Sequence, residues 1–286
     1  MSRDQKISVN AGTALYGIFG DPVSHSLSPV IHNAAFSALG INAVYLAFKI
    51  EPGYLGIAFE GLRAMGMRGV NITIPYKEEA LDFIDDIPED IDRCTGAINT
   101  VCNREGALLG YNTDGPGFLM ALKEELAFNP EGKSMLVLGA GGGARGAVFS
   151  LARAHAQKVW VHNRNTERAE GLVHHASGFF PETEFETVKH LYEIQGEKID
   201  LVVNATSCGM GENRDVLPLD LRILEKKTSA YDLVYSAADT PFLKLARTLD
   251  FPCANGLGML LNQAMLSFEL WTGKRDGVRE AMKGAL

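Results

Sequence analysis

The segment SMLVLGAGGGARGAVFSLARAH, residues 134–155, constrains the fold more than any other part of this 286-residue chain. Four apolar residues in a row, Met135 to Leu138, read as a strand. The run Gly139-Ala140-Gly141-Gly142-Gly143-Ala144 follows at once and opens a helical pattern. Glycine permits the tight bend and close backbone approach of such a turn, and the helix N-terminus offers unbonded amides to a pyrophosphate. A further strand, QKVWVH (157–162), completes the βαβ context that a dinucleotide site needs; a lone glycine pattern would equally mark a structural turn.

The end of that next strand bears on which dinucleotide. NAD sites usually place Asp or Glu there, about twenty residues after the glycines, to accept from the ribose 2′-hydroxyl. This chain has Asn163-Arg164-Asn165-Thr166-Glu167-Arg168 instead. Read as a helix start, Arg164 and Arg168 share one face and can pair with a 2′-phosphate, which a carboxylate would repel. NADP is favoured. Without the glycines, the same arginines read as solvated helix-start residues.

Short apolar runs alternate with helical patterns through most of the chain, the signature of α/β folds with largely parallel sheets. Strands are expected at 14–19, 43–49, 69–74, 199–204 and 229–235, helices from Pro29 to Leu39 and from about Lys77 to Ile84. Residues 96–102 and 107–109, joined by NREG, read as a hairpin. The loop FNPEGK precedes the glycine unit and marks a domain break, and the length suits two domains. A long amphipathic helix from Gly256 is placed to pack back on the first unit.

Composition narrows the function classes. Hydrophobic residues make up 46% of the chain and no apolar run approaches the ~20 residues of a membrane helix, so an integral membrane protein is not expected. The first ten residues read as a frayed leader without the apolar core of a secretory signal, which makes the cytoplasm the default. A net charge of −8 without basic runs argues against nucleic acid. Cys94, Cys102, Cys208 and Cys253 have no metal-like spacing and read as reduced structural thiols; no metal is expected.

Hydride transfer to a carbonyl needs a proton source beside the reacting carbon. In NITIPYK (71–77) a strand breaks at Pro75 and delivers Lys77 at an expected helix start, where the dipole disfavours a cation. In NTDG (112–115), Asp114 lies in a turn just before a helix and next to the nucleotide unit. A Lys–Asp pair can orient an ammonium and pass a proton. Taken singly, Lys77 is also what a surface lysine looks like and Asp114 what a helix cap looks like, so these residues leave the reaction open. Upstream, Ser24, Ser26 and Ser28 alternate before a helix. Pro29 is expected to push Ser28 toward an extended conformation, which sets Ser26 and Ser28 on the same side, with Ser28 also suited to cap the helix.

Taken together, SHSLSP, NITIPYKEEA, GAINTV, GYNTDG, GAGGGARGA, NRNTERA, NATSCGM, YDLVY followed by TPFL, and NGLGMLLNQA resemble the blocks of shikimate dehydrogenases in order and spacing, from about Tyr16 to Trp271. The resemblance implies NADPH-dependent reduction of 3-dehydroshikimate to shikimate in aromatic amino-acid biosynthesis. It implies an N-terminal mixed α/β substrate domain, residues 1–115 completed by the C-terminal helices in 256–286, and a Rossmann NADP-binding domain at 116–255. By the same resemblance Ser26 and Ser28 bind the substrate carboxylate and Thr73 and Asn99 bind ring hydroxyls. Tyr235 and Gln263 make further substrate contacts, and Lys77 and Asp114 form the catalytic dyad. Cofactor positions are Gly139, Ala140, Gly141, Gly142, Gly143, Ala144, Asn163, Arg164, Asn165, Thr166, Arg168, Leu233 and Gly256. The expected partner is the small-molecule substrate alone, without nucleic acid or membrane, in a monomer or homodimer.

Two positions depart from the family pattern: Asn165 stands where Thr is usual, and Gly143-Ala144 where Ser or Ala-Ser is common. Each removes a hydroxyl, so weaker cofactor contacts are expected, not a switch to NAD. An NAD-linked quinate/shikimate dehydrogenase is the nearest alternative. It is disfavoured by the missing acid and by Ser28, where quinate-active relatives often carry Thr. A non-catalytic nucleotide sensor would have no need of Lys77 and Asp114.

Overall fold

The computed structural model describes residues 9–225, 227–235 and 239–286, so all but the last two positions of the expected leader lie outside the described residues. Each apolar run expected as a strand forms one, with ends shifted by a few residues. By its contacts the chain divides into two compact units, Met1–Thr113 with Leu261–Leu286, and Asp114–Leu260. The first break falls two residues before the expected one and the second five residues after it.

The first unit holds a five-stranded mixed sheet. Strand β1 (Ala14–Gly20) leads through α1 (Ser28–Ala38) to β2 (Ala43–Lys49), and through α2 (Leu55–Ala64) to β3 (Gly69–Ile72). Both β2 and β3 pair with β1 in parallel. After α3 (Asp90–Thr95), β4 (Thr100–Arg104) and β5 (Ala107–Tyr111) form the expected hairpin and add antiparallel to β3. This switch of direction matters for function. Thr100 lies opposite Asn71 and Tyr111 opposite Thr100, so Asn99 and Thr113 are delivered to the same end of the sheet as the carboxyl ends of β1 and β3.

The helix expected from Lys77 to Ile84 is not formed. Residues 74–78 are turns, and only Glu79–Phe83 wind into a 3₁₀ stretch. The hydrogen bonds give the reason: the Lys77 carbonyl accepts from Ile98 N–H at 2.9 Å, while the Leu81 amide reaches only three residues back, to Glu78. An α-helix would need Lys77 and Leu81 bonded to each other.

The second unit opens with α4 (Asp114–Leu126). The chain then alternates β6 (Ser134–Leu138), α5 (Gly142–Arg153), β7 (Lys158–His162), α6 (Thr166–Ser177), β8 (Glu184–Val188), β9 (Leu201–Asn204), β10 (Ser229–Asp232), α7 (Pro241–Thr248) and β11 (Cys253–Asn255). The six strands are all parallel in the order β11-β10-β9-β6-β7-β8. This is the doubly wound Rossmann order, which reverses direction beside β6 and leaves a crevice at the carboxyl ends there. Strands β6 and β9 are buried on both faces, as their unbroken apolar sequences require. Leu136, Leu138, Trp160, Val202, Ala230 and Phe242 carry that core. Strand β8 escapes a sequence reading because EFETV carries two glutamates in five residues; it forms an edge, where charge is tolerated.

The chain ends in α8 (Leu257–Thr272) and α9 (Val278–Lys283), and from Leu261 onward it belongs to the first unit. There Trp271 donates its indole N–H to the Val101 carbonyl at 3.0 Å. Tyr16, Phe36, Phe268 and Trp271 form a ring cluster with neighbouring centroids 4.9–5.1 Å apart. The four cysteines are free thiols. Among the described residues no helix is long and apolar enough to cross a membrane, and no group of three or more His, Cys, Asp or Glu is placed to hold a metal ion.

Candidate active site

The first unit gathers polar side chains at the carboxyl ends of β1 and β3. After β1, a turn closed by Ser26 N–H on the Val23 carbonyl leads into α1. Ser28 is the first residue of that helix, not an extended residue ahead of it, and Leu27 occupies the N-cap position without a side-chain cap bond. The capping role expected of Ser28 therefore falls to Ser26. Ser26 Oγ accepts from Ser28 N–H at 3.2 Å, satisfying one of the orphan amides of the helix start, so Pro29 is accommodated one position inside the helix. Ser28 itself is 5% exposed. Ser24 is exposed in the turn.

Thr73 follows β3 directly, its amide bonded to the Phe19 carbonyl at 2.9 Å. Lys77 comes four residues later in the turn and is half-buried. No α-helix starts there, so no helix dipole acts on the ammonium. The bond from Ile98 N–H to the Lys77 carbonyl sets this turn beside the segment that carries Asn99.

Asn99 is the centre of a buried network. Its Oδ1 accepts from Thr113 N–H at 2.8 Å and from Thr100 Oγ1 at 3.1 Å, while its Nδ2 donates to Thr113 Oγ1 at 2.9 Å and to Gln263 Oε1 at 3.3 Å. Asn71 Nδ2 donates to the Asn99 carbonyl, Thr100 Oγ1 and Ser267 Oγ at 3.0–3.1 Å, and Asn71 Oδ1 accepts from Tyr45 Oη at 2.7 Å. Ser267 sits one helical turn after Gln263 on α8 and donates to its carbonyl at 3.0 Å. Asn71, Asn99, Thr100, Thr113 and Ser267 are all buried. Leaving any one buried group of such a network unsatisfied costs about 1–3 kcal/mol, which fixes the side chains in one arrangement.

A fully buried histidine borders this network. His32 on α1 lies flat against Tyr45, ring centroids 4.4 Å apart at 9°, with Phe268 and Trp271 nearby. Neither ring nitrogen has a hydrogen-bond partner, and burial pushes its pKa down to about 3, so the ring is neutral at pH 7. Its neighbour Asn33 makes paired bonds with the Tyr45 backbone, donating to the carbonyl at 2.9 Å and accepting from the amide at 2.8 Å.

The second unit carries the glycine turn. Gly139 has φ +116°, and a Cβ there would stand 2.8 Å from the Ala205 carbonyl oxygen, so only glycine fits. Its amide donates to the His162 carbonyl at 2.7 Å, tying the end of β6 to the end of β7. Gly141 is the N-cap of α5, extended and exposed, with no side chain capping the first amides of the helix and open space where a Cβ would be. Gly142, Gly143 and Ala144 form the first turn. Leu233 approaches this turn, its Cδ1 3.4 Å from the Cβ position of Gly143. Gly256 presses on Leu233 so closely that a Cβ would meet its carbonyl oxygen at 2.2 Å.

Asn163, Arg164, Asn165 and Arg168 line one hollow at the end of β7. The arginines do not reach it from one helical face, as their spacing suggested. α6 begins at Thr166, so Arg164 comes from the preceding loop and Arg168 from the first turn. Asn165, the departure from the family pattern, is the N-cap of α6 and accepts from Arg168 N–H at 3.1 Å; Asn163 Nδ2 donates to the Asn165 carbonyl at 2.9 Å. Both guanidinium groups are exposed, and neither is ion-paired among the described residues. An uncapped helix start, an open glycine turn and a hollow with two arginines and no carboxylate in its lining fit a dinucleotide bearing a 2′-phosphate.

Tyr235 follows β10 beyond Leu233 and is half-buried, which raises its phenol pKa. The loop leading to it is anchored by Asp232, fully buried, whose Oδ1 accepts from Asn204 Nδ2 at 2.8 Å and whose Oδ2 accepts from Thr240 Oγ1 at 2.6 Å. Burial raises the Asp232 pKa against these bonds. The blocks NATSCGM, YDLVY and TPFL thus share one polar anchor. Asp114 opens α4 and is buried; it belongs to the second unit and Lys77 to the first.

Sequence reasoning passed over His32, Tyr45, Asn71, Thr100, Thr113 and Ser267. The available signal was a polar residue inside an apolar element, Asn71 in the strand GVNI and Ser267 four residues after Gln263 on an apolar helix.

Three family models match successive parts of the chain. The shikimate dehydrogenase substrate binding domain matches residues 18–101, shikimate / quinate 5-dehydrogenase 121–210, and the shikimate 5'-dehydrogenase C-terminal domain 256–286. A shikimate dehydrogenase (NADP(+)) of Geobacillus kaustophilus is 44% identical over 264 residues, 91% of this chain and 93% of the relative. A shikimate dehydrogenase crystallised with NADP+ superposes with a TM-score of 0.89 at 36% identity, covering 97% of this chain and 96% of that one. The shikimate 5-dehydrogenase of Thermus thermophilus, in complex with NADP(H) and shikimate, gives a TM-score of 0.83 at 37% identity, covering 96% of this chain and 100% of that one.

Proposed function

The chain belongs to the shikimate dehydrogenase family, and we propose that it catalyses the reversible NADPH-dependent reduction of 3-dehydroshikimate to shikimate in aromatic amino-acid biosynthesis. The first unit, with its C-terminal helices, holds the substrate; the second holds the dinucleotide. The observation that supports this reading is that Thr73 and Asn99, from separate blocks of sequence, stand at the same end of the first unit's sheet, where Asn99 bonds Gln263 at the edge of a buried polar network.

When bound, NADPH supplies the hydride that turns the ring ketone into a hydroxyl. Lys77 delivers the proton to that oxygen, and Asp114 orients the ammonium and relays the proton. Ser26 and Ser28 receive the carboxylate, and Thr73 and Tyr235 contact the ring. The 3.3 Å bond between Asn99 and Gln263 is among the longest in its network. A ring hydroxyl, both donor and acceptor, can replace it by accepting from Asn99 Nδ2 and donating to Gln263 Oε1. A substrate lacking that hydroxyl would offer no partner to buried Asn99 and half-buried Gln263 and would lose both contacts.

On the cofactor side, the turn Gly139–Gly143 with Ala144, Leu233 and Gly256 takes the pyrophosphate and nicotinamide portions. Asn163 to Thr166 with Arg168 take the 2′-phosphate ribose. The net charge of −8 without basic runs speaks against nucleic acid as a partner, and the proposal is of a cytoplasmic enzyme acting on small molecules alone, as a monomer or homodimer.

The test is NADP-linked oxidation of shikimate by the purified protein. NADPH formation that depends on both compounds supports the proposal; no turnover at saturating concentrations of both refutes it.

A further inference from the structure

Tyr45 is absent from the sequence blocks that carry the family's chemistry, yet it occupies a junction. Its phenol hydrogen is committed to Asn71 Oδ1, because an amide oxygen can only accept and Asn71 Nδ2 is occupied by three other acceptors. Asn71 stands on the central strand β3, and its bonds continue to Asn99 and Thr100.

The ring is held from two directions. Asn33 clamps the Tyr45 backbone with a bond to each of its polar groups. His32 stacks on the ring face at 4.4 Å and 9° while making no hydrogen bond of its own. A buried imidazole without polar partners contributes shape alone at this position, a flat platform for the phenol.

We propose that Tyr45 is a positioning residue: its phenol, seated on His32, fixes the Asn71 amide and, through it, the backbone of Asn99, whose side chain receives a ring hydroxyl in the proposed reaction. The placement of the hydroxyl end of a cyclic hydroxy acid is set through this one side chain. The inference rests on the proposed shikimate reaction and deepens it.

Steady-state kinetics of Tyr45→Phe test it, with melting temperature as the control for folding. Loss of one buried, orienting hydrogen bond is expected to raise the KM for shikimate about tenfold and leave the KM for NADP within about twofold. A purely structural role lowers the melting temperature and leaves both KM values unchanged, and that result overturns the proposal. His32→Leu keeps the phenol but removes the flat platform. It is expected to raise the shikimate KM in the same selective way, and it decides the matter if Tyr45→Phe does not fold; an unchanged shikimate KM there overturns the proposal. Wild-type protein that fails to oxidise shikimate overturns the functional reading and this inference with it. An active wild type with unaltered KM values in the folded variants overturns this inference alone.

Discussion

Asn99 and Gln263, 164 positions apart in the chain, meet through a bond from Nδ2 to Oε1 of 3.3 Å. One lies at the start of a hairpin strand and the other on a helix near the C-terminus, so neither is oriented by its own sequence neighbourhood. The first unit is complete only when the last part of the chain has joined it. The pairing also gives the site matched donor and acceptor groups at the edge of a network that is otherwise internally satisfied.

Lys77 is assigned the proton transfer, so Lys77→Ala is expected to lower kcat on the order of 10²-fold or more. Because the residue belongs to the first unit, NADP affinity measured by fluorescence titration stays close to wild type. Near-normal turnover in the variant removes Lys77 from the mechanism.

Arg164 and Arg168 face one hollow from a loop and from a helix start. Replacing either by Ala removes a charge-assisted contact to a 2′-phosphate and is expected to raise the KM for NADP on the order of tenfold. The KM for NAD, which has no such phosphate, changes little. Equal losses with both cofactors would show that the arginines do not read the 2′ position.

Much of this second unit was legible in the sequence, because its signals are local: the glycine turn follows an apolar strand within a few residues, and the arginines follow the next. The first unit was less legible. The turn at Lys77 was read as a helix because Ile98, whose amide takes the Lys77 carbonyl, is distant in sequence. Ser28 was read as extended because of Pro29, although Ser26 caps the helix start and brings Ser28 into it. Asn71, Thr100 and Ser267 each look like one polar residue in an apolar segment until β3, β4 and α8 come together.

His32 gives the protein a measurable acid sensitivity. Its pKa of about 3 lies well below the unfolded value of about 6.5, so the unfolded chain takes up the proton first as pH falls. The stability tied to this neutral ring is fully present above pH 6.5 and is lost as pH falls toward 3. Between pH 7 and pH 5 the loss is about 2 kcal/mol. Urea unfolding of wild type and His32→Leu at the two pH values is expected to show a drop smaller by about that amount in the variant; identical drops would place the sensitivity elsewhere.

Thr240 serves two neighbours in the second unit, donating to Asp232 Oδ2 at 2.6 Å and accepting from Leu243 N–H at 3.3 Å as the N-cap of α7. Thr240→Ala removes the cap and strips a donor from a buried carboxylate. The expected loss is about 2–3 kcal/mol in urea unfolding. A change under about 0.5 kcal/mol, the range of ordinary surface substitutions, would mean that the Asp232 anchor does not depend on it.

The central claim is that the chain is an NADP-linked reductase of the shikimate ring. It is tested most directly by kcat/KM for shikimate and for quinate, each measured with NADP and with NAD. The account predicts the highest value for shikimate with NADP, and a value lower by on the order of 10²-fold when NAD replaces it, from the two arginines together. Equal or better turnover with NAD, or a preference for quinate, would contradict it.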